Sequence, residues 1–298
     1  MLNLVVPSPL QEIKDPLFVQ KEIRLFMKRE DLIHPIVSGN KWRKLKYNLL
    51  KAKEEGRGTL LSFGGAYSNH IHALALVAKE EGMKVVGVIR GEEHSILNDT
   101  LSFAKSCGML LHFVSREEYK KKTEEEFLLQ LEKRFGSFFL IPEGGCNEEG
   151  VLGCAEICGE LEIEYDFICT ACGTGTTMAG IISSLPENKK AIGFSALKGG
   201  DFLYDEINQL LVGQENKKTN NWRIETSYHF GGYGKWNQEL LDFMATFKKN
   251  HGISLDQVYT GKMMYGLFDL IEKNYFAKGS TVVALHTGGL QGLGGLEK

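Results

Sequence analysis

Short apolar runs alternate with helical patterns along most of this chain, and glycine marks many of the junctions. The apolar run at 59–65 leads into a predicted helix from about Ser68, which ends at Gly82 before a second apolar run at 84–91. A glycine just past the last helical residue is typical of a left-handed helix stop. Strands and helices in this order indicate a parallel sheet with helical crossovers.

The same alternation continues to the end of the chain. A strand is predicted at 109–114, a single long charged helix from Arg116 to about Phe135, and another strand at 138–145. The pattern therefore predicts an α/β fold. The second half adds strands at 165–172, 189–197, 222–230 and 281–289, and helices near 236–249 and 261–275.

Size, charge and hydropathy narrow the function class. A chain of 298 residues fits about two domains or one large domain, and 35 basic against 38 acidic residues leave a net charge of −3. This balance does not predict a nucleic-acid partner or an anionic membrane surface. No apolar run reaches the roughly 18 residues of a membrane span, and Pro7 and Pro9 interrupt the N-terminal apolar stretch. We expect a soluble, cytoplasmic protein.

A glycine-threonine loop at 173–177 follows one apolar strand and opens a helix. Backbone N–H groups and hydroxyls at a helix N-terminus favour an anion, so the loop is a candidate phosphate site. It lacks the closing Gly-Lys-Ser/Thr of a Walker loop and the spacing of a dinucleotide fingerprint. The predicted ligand is a monophosphate without an obligatory magnesium ion. The alternative is that the loop is only a tight turn that caps a helix.

The stretch 38–47 is typical of a loop that enters a helix, with Lys41 in the first turn. The helix dipole opposes a cation there, which lowers the pKa of a lysine toward the neutral amine that a carbonyl condensation needs. Lys44 and Lys46 follow on the same stretch, and a basic helix face is usually only solvated. Lys41 is therefore a candidate nucleophile, with a solvated face as the alternative.

A second strand-to-helix junction, at 62–70, brings Ser68, Asn69 and His70 to the carboxyl end of a strand. Ligands gather at that edge of parallel sheets, although an N-cap explains Ser68 or Asn69 equally well. No metal site is predicted, because neither the histidines nor the cysteines show ligand spacing. The cysteines considered for zinc are Cys154, Cys158, Cys169 and Cys172.

Taken together and in this order, six segments resemble one family, the pyridoxal-phosphate enzymes of fold type II that include 1-aminocyclopropane-1-carboxylate deaminase and D-cysteine desulfhydrase. The resemblance implies two domains of open, twisted, mostly parallel sheets with helices on both faces, similar to the tryptophan synthase β subunit. It places the large cofactor-binding domain at 1–47 plus 156–298, a smaller inserted domain at 48–155, and a homodimer. The segments are SGNKWRKLKY (38–47), GGAYSNH (64–70), GTGTTMAG (173–180), GGYGKW (231–236), VYTGKMMYGL (258–267) and LHTGGLQGL (285–293).

The resemblance also assigns roles to cofactor-binding residues. Lys41 would form the Schiff base with pyridoxal 5'-phosphate, and Asn69 would hydrogen-bond its phenolic oxygen. Thr260 would contact the pyridine nitrogen, with Thr287 nearby. The phosphate would lie in the loop formed by Gly173, Thr174, Gly175, Thr176 and Thr177.

On the substrate side, the resemblance implies that Ser68 faces the carboxylate of a small amino acid. Tyr259 and Tyr233 would act as acid/base or positioning hydroxyls. Tyr67, Asn69 and His70 complete the predicted substrate site.

Two threonines decide the predicted reaction. Threonine at 260 and 287 resembles the desulfhydrase pattern more than the deaminase pattern, in which position 260 carries glutamate. The resemblance therefore implies β-elimination of D-cysteine to pyruvate, ammonia and sulfide. One alternative is deamination of 1-aminocyclopropane-1-carboxylate to 2-oxobutanoate, and another is a non-catalytic protein that binds a phosphorylated small molecule.

Overall fold

A computed structural model describes residues 2–93, 95–212 and 220–291. The strands are β1 (Leu10–Ile13), β2 (Arg24–Lys28), β3 (Thr59–Gly65), β4 (Lys84–Arg90), β5 (Leu110–Val114), β6 (Phe139–Ile141), β7 (Phe167–Cys172), β8 (Lys190–Ser195), β9 (Trp222–Glu225) and β10 (Thr281–Leu285). The helices are α1 (Pro16–Lys21), α2 (Asn40–Glu54), α3 (Asn69–Glu80), α4 (Asp99–Ser106), α5 (Arg116–Lys120), α6 (Glu125–Phe135), α7 (Glu148–Gly159), α8 (Thr176–Ser184), α9 (Leu203–Leu210), α10 (Gln238–His251) and α11 (Thr260–Glu272).

The larger sheet has the strand order β1-β2-β10-β7-β8-β9, in which β1 runs antiparallel to β2 and the other pairs are parallel. Successive side chains of a strand point to opposite faces. Leu25 and Met27 accordingly enter a core with α1, α10 and α11, whereas Phe26 enters a second core with α7, α8 and α9. Both faces of this sheet are therefore covered by helices.

The smaller sheet has the order β5-β4-β3-β6, and all of its pairs are parallel. Leu60 packs on one face with α2, α3 and α4, and Leu61 packs on the other face with residues of α5 and α6. Two mostly parallel sheets, each between two layers of helices, confirm the predicted α/β fold class.

The two sheets use different parts of the chain. The smaller sheet is built from residues 59–141, and the larger one from 10–28 together with 167–285. This division is compatible with an inserted domain, but the boundaries at 47/48 and 155/156 stay a prediction.

A buried ion-pair network fixes α2 to the larger half of the molecule. Arg43, which is fully buried, donates to the Glu30 carboxylate at 2.9 Å and to the Glu160 carboxylate at 2.6 Å. Glu30 follows β2, and Glu160 follows α7. Removing one partner of a buried pair typically costs about 3–5 kcal/mol, so the network holds the N-terminal half of α2 in a defined place.

Several local predictions were wrong or incomplete, and the strands predicted at 138–145 and 281–289 end earlier, at Ile141 and Leu285. The single helix predicted from Arg116 to Phe135 is two helices, α5 and α6, interrupted at 121–124. Residues 120–126 are all polar, so this segment has no apolar side chain to bury, and packing does not stabilise a continuous helix there. Strand β9 ends at Glu225 rather than near 230, and the β1–β2 pair had not been predicted at all.

Among the described residues, no helix is both long enough and apolar enough to cross a membrane. Residues 292 and 293, which end the last motif segment, lie outside the described residues.

Candidate active site

A cavity of about 510 Å³ is bounded by both sheets. Many of its lining residues lie in the loops that follow β3, β6, β7, β8 and β10 and at the end of β4. Ligands of open α/β sheets bind at the carboxyl ends of the strands, and here the carboxyl ends of two sheets meet at one cavity. Most of the predicted site residues line it, namely Lys41, Tyr67, Ser68, Asn69, His70, Gly173, Thr174, Gly175, Thr177, Tyr233, Tyr259 and Thr287.

Lys41 reaches the cavity because α2 begins against the end of β10. The residue that caps α2 is Gly39, whose φ of 63° lies in the left-handed region. A Cβ atom at Gly39 would lie 1.8 Å from the Thr287 carbonyl oxygen. Only glycine allows this approach, which places the first turn of α2, with Lys41, at the cavity wall.

The surroundings of Lys41 favour its neutral amine near neutral pH. Burial, together with the charge of Lys44, lowers the pKa of Lys41 to about 7. The amine donates to the Asn40 side-chain oxygen at 2.8 Å, and the Asn40 amide in turn donates to the Thr177 hydroxyl at 2.8 Å. Burial is the largest cause of the lowered pKa, and the charge of Lys44 adds to it. An amine of this kind can act as a nucleophile or accept a proton.

The 173–177 loop has the geometry of an anion site. Gly175 caps α8 in the left-handed conformation, with a φ of 75°, and no side chain caps the helix. The first N–H groups of α8 are therefore available to a ligand. The Thr174 hydroxyl lines the cavity and lies 3.0 Å from the Thr176 hydroxyl. Thr176 itself is fully buried and does not line the cavity.

Lys44 is a cavity residue that the sequence analysis had treated as part of a solvated face. Its side chain is 4% exposed and lines the cavity, and in the described part of the chain no hydrogen bond or ion pair involves its amine. Lys46 does fit the solvated face, since it pairs with Glu156 at 2.5 Å. A buried cation normally has a partner of opposite charge. The phosphate of the predicted cofactor fits this place, because it would meet the Lys44 amine, the uncapped start of α8 and the glycines of the 173–177 loop.

The junction between β3 and α3 forms another wall. Ser68 is the N-cap of α3, and its hydroxyl oxygen accepts the Ile71 N–H at 3.2 Å, so the capping alternative is correct while Ser68 also lines the cavity. The Asn69 side-chain oxygen accepts from Gln291 at 2.6 Å, which leaves the Asn69 amide N–H groups for a ligand. Tyr67 is 76% exposed and lies at the rim.

His70 lines the cavity but is buried, and its Nε2 lies 2.9 Å from the Ser62 hydroxyl. The Ser62 hydroxyl donates to the Ile141 carbonyl at 2.7 Å, so it is free only to accept from Nε2–H. Burial and the charges of Lys41 and Lys44 lower the pKa of His70 to about 3. The imidazole is therefore neutral, and its environment does not suit a general acid.

Tyr233 and Tyr259 line the cavity from the segments before α10 and α11. Their rings meet edge to face, with centroids 6.1 Å apart. Burial raises the pKa of Tyr259 well above its usual range, so its hydroxyl keeps its proton and can donate. A Cβ atom at Gly173 would lie 3.1 Å from the Tyr259 ring, so this glycine lets the ring lie directly over the 173–177 loop.

Thr260 does not line the cavity. It is fully buried and its hydroxyl donates to the Asp256 carboxylate, a buried group that the sequence analysis had missed. The available signal was an aspartate placed where a helix is about to begin, as an N-terminal capping group would be. Within the described ranges, no group of three or more His, Cys, Asp or Glu side chains is arranged to hold a metal ion.

Comparison with known proteins finds relatives over nearly the whole chain. The family model described as "Pyridoxal-phosphate dependent enzyme" matches residues 2–288. The bifunctional D-cysteine desulfhydrase/1-aminocyclopropane-1-carboxylate deaminase of Arabidopsis thaliana is 32% identical over 97% of this chain and 77% of that protein. A 1-aminocyclopropane-1-carboxylate deaminase of Variovorax paradoxus is 29% identical over 96% of this chain and 93% of that protein. The crystal structure of an ACC deaminase homologue superposes with a TM-score of 0.84 at 29% identity, covering 98% of this chain and 92% of that one.

Proposed function

Since the chain belongs to the pyridoxal-phosphate dependent enzyme family, we propose that it catalyses β-elimination of D-cysteine, giving pyruvate, ammonia and sulfide. The observation that carries the proposal is the position of Lys41. Its amine, with a pKa lowered to about 7, lines one cavity together with the 173–177 loop and the start of α3. The names of the relatives support the more general assignment, a deaminase or desulfhydrase that acts on a small amino acid.

The residues that would hold the cofactor lie on two walls of the cavity. Lys44 and the N-terminus of α8 would bind the phosphate, and Asn69 would donate to the phenolic oxygen. When bound, pyridoxal phosphate supplies an electron sink for negative charge at the substrate α-carbon.

Lys41 would take the α-proton of the substrate. Its amine is partly neutral at pH 7 because burial and Lys44 lower its pKa, and a general base works best when its pKa lies near the operating pH. The hydrogen bond to Asn40 fixes the direction of the amine.

The start of α3 would bind the substrate carboxylate, because the N-terminal end of a helix favours an anion. The Ser68 hydroxyl oxygen accepts from the Ile71 N–H, so its own proton is available to the carboxylate. Tyr233 and Tyr259 would donate to the leaving sulfur, and Tyr259 keeps its proton at all ordinary pH values.

Two threonines favour a thiol leaving group over opening of a carbon ring. Threonine at 260 and 287 resembles the desulfhydrase pattern, because position 260 lacks the glutamate that the deaminase pattern carries there. Deamination of 1-aminocyclopropane-1-carboxylate is the second candidate, because the Arabidopsis relative is named for both reactions. A non-catalytic phosphate-binding protein is the third. A cytoplasmic location and a homodimer are part of the proposal.

A substrate panel tests the proposal. The purified enzyme, loaded with pyridoxal phosphate, is given D- and L-cysteine, D-serine, β-chloro-D-alanine and 1-aminocyclopropane-1-carboxylate, and the keto acid is identified. Pyruvate and sulfide from D-cysteine support the proposal, whereas 2-oxobutanoate from the cyclopropane acid alone supports the second candidate. Borohydride should trap the cofactor on Lys41, and Lys41→Ala should abolish turnover. An untrapped Lys41 with bound cofactor would instead indicate a non-catalytic binder.

A further inference from the structure

Tyr233 stands on an irregular double turn. The N–H of Gly232 donates to the His229 carbonyl at 3.0 Å, and the N–H of Lys235 donates to the Gly232 carbonyl at 3.1 Å. Gly231, Gly232 and Gly234 all have positive φ, at 93°, 117° and 65°. With Phe230, whose φ is 50°, four residues of 229–235 have positive φ. Because glycine is conformationally permissive, contacts from outside the turn can fix the conformation that places Tyr233.

One buried side chain supplies those contacts. Lys262, in the first turn of α11, is 1% exposed. Its amine donates to the His229 carbonyl at 2.9 Å and to the Gly232 carbonyl at 2.8 Å, which are the two carbonyls that close the turns. A third bond, at 3.3 Å, goes to the Ala196 carbonyl after β8.

An ammonium group has three N–H donors, and all three are used here on backbone carbonyls. In the described part of the chain no carboxylate pairs with Lys262, although Asp256 lies near enough to oppose the effect of burial on its pKa. Burying a cation without a carboxylate partner costs free energy of folding. In return, the three hydrogen bonds of Lys262 organise a turn at the rim of the cavity. No cavity contact of Lys262 itself accounts for its position, since it does not line the cavity.

We propose that Lys262 is the positioning residue of Tyr233: by fastening both turns of 229–235 to α11 and β8, it fixes the Tyr233 ring against Tyr259 at the substrate side of the cavity. This inference rests on the proposed function for its kinetic consequence. Its structural consequence, a rigid turn at 229–235, is independent of the reaction.

The kinetic test is a double-mutant cycle between Lys262→Met and Tyr233→Ala, with the substrate that the panel identifies. If Lys262 acts through Tyr233, Lys262→Met should lower kcat/KM about ten-fold in the otherwise wild-type enzyme but less than about two-fold when position 233 is already alanine. Lys273→Met, at the exposed residue that follows α11, is the matched control and should leave kcat/KM unchanged. Additive effects in the cycle would overturn the proposal.

A second measurement needs no turnover. Amide hydrogen exchange of the cofactor-loaded enzyme should accelerate about ten-fold or more at Gly232 and Lys235 in Lys262→Met, and should be unchanged in Lys273→Met. Unchanged exchange at both amides would overturn the proposal even if the enzyme acts on none of the panel compounds. Should Lys262→Met fail to fold, Gly232→Ala takes its place, since its φ of 117° strains the turn without touching the core. Wild-type exchange at Lys235 and wild-type kcat/KM in Gly232→Ala would then reject the role of this turn.

Discussion

The hydroxyl of Thr260 donates to the Asp256 carboxylate at 2.5 Å, and it accepts the backbone N–H of Asp256 at 2.8 Å in return. A hydroxyl has one proton, so Thr260 has only a lone pair left for any further partner. The Asp256 carboxylate also accepts the N–H groups of Val258, Tyr259 and Thr260. Asp256 thereby fixes the turn that contains Tyr259 and leads into α11.

Replacing Thr260 by valine removes the hydroxyl from this buried pair. We expect Thr260→Val to lower the free energy of unfolding by about 1–3 kcal/mol, because one carboxylate oxygen of Asp256 loses a charge-assisted bond in a buried place. Thr260→Ser keeps the hydroxyl and should lose clearly less. Urea unfolding of the three proteins measures the difference, and equal losses for valine and serine would show that the bond contributes nothing.

Gly39 and Gly56 form a matched pair for testing how α2 meets β10. Both have positive φ, at 63° and 66°, but a Cβ atom at Gly39 would collide with the Thr287 carbonyl, whereas nothing lies within 4 Å of one at Gly56. Gly56→Ala should cost only about 1–2 kcal/mol for the left-handed backbone. Gly39→Ala should cost well beyond that and prevent cofactor binding. Urea unfolding and the absorbance of bound cofactor report both effects, and equal costs would contradict the close approach.

Lys44 and Lys46 allow a test of the phosphate site. Lys44→Met should weaken the binding of pyridoxal phosphate by about ten-fold or more, since the phosphate loses a charge-assisted hydrogen bond in a buried site. For pyridoxal without the phosphate, Lys44→Met should weaken binding less than it does for pyridoxal phosphate, because only the effect of Lys44 on the pKa of Lys41 is then lost. Lys46→Met, which changes an outward lysine paired with Glu156, should bind pyridoxal phosphate like the wild type. Equal losses in both variants would argue for a general charge effect.

The lowered pKa of Lys41 predicts a dependence of stability on pH in the chain without cofactor. Folded Lys41 releases its proton near pH 7, whereas an unperturbed lysine keeps it up to about 10.5. Between these values the unfolded state binds more protons, so the Lys41 contribution to stability rises with pH. Lys41→Met lacks this contribution and should exceed the wild type in unfolding free energy most below pH 7, with the excess shrinking toward pH 10. Urea titrations at pH 6, 8 and 10 test it, and a constant difference would contradict the buried amine.

The sequence predicts the bounds of a helix or strand well where capping residues and glycines mark its ends. Strand β3, helix α3 and strand β4 lie within about two residues of their predicted bounds, because Ser68 caps the helix and Gly82 follows its last turn. The mostly parallel α/β fold is confirmed, and membership of the pyridoxal-phosphate family confirms the predicted cofactor and the enzyme class. The roles given to single site residues stay predictions.

What the sequence could not supply depends on contacts between distant segments. Lys44 and Lys46 are alike in the sequence, and only the fold buries the first and leaves the second at the surface. Asp256 is a different case, because its partners lie only two to four residues ahead of it and the capping signal for it is local. The sequence gives no sign that Lys262 has a special role, because its partners in the turn at 229–235 are about 30 residues away along the chain.

The close contact between Gly39 and Thr287 also bears on how the enzyme matures during synthesis. One wall of the cavity is made near residue 40, and the wall it touches is made near residue 287. A ribosome-bound chain that has not yet reached residue 288 holds its reactive amine in an unfinished groove. Any binding that needs both walls is therefore possible only after nearly the whole chain has been made.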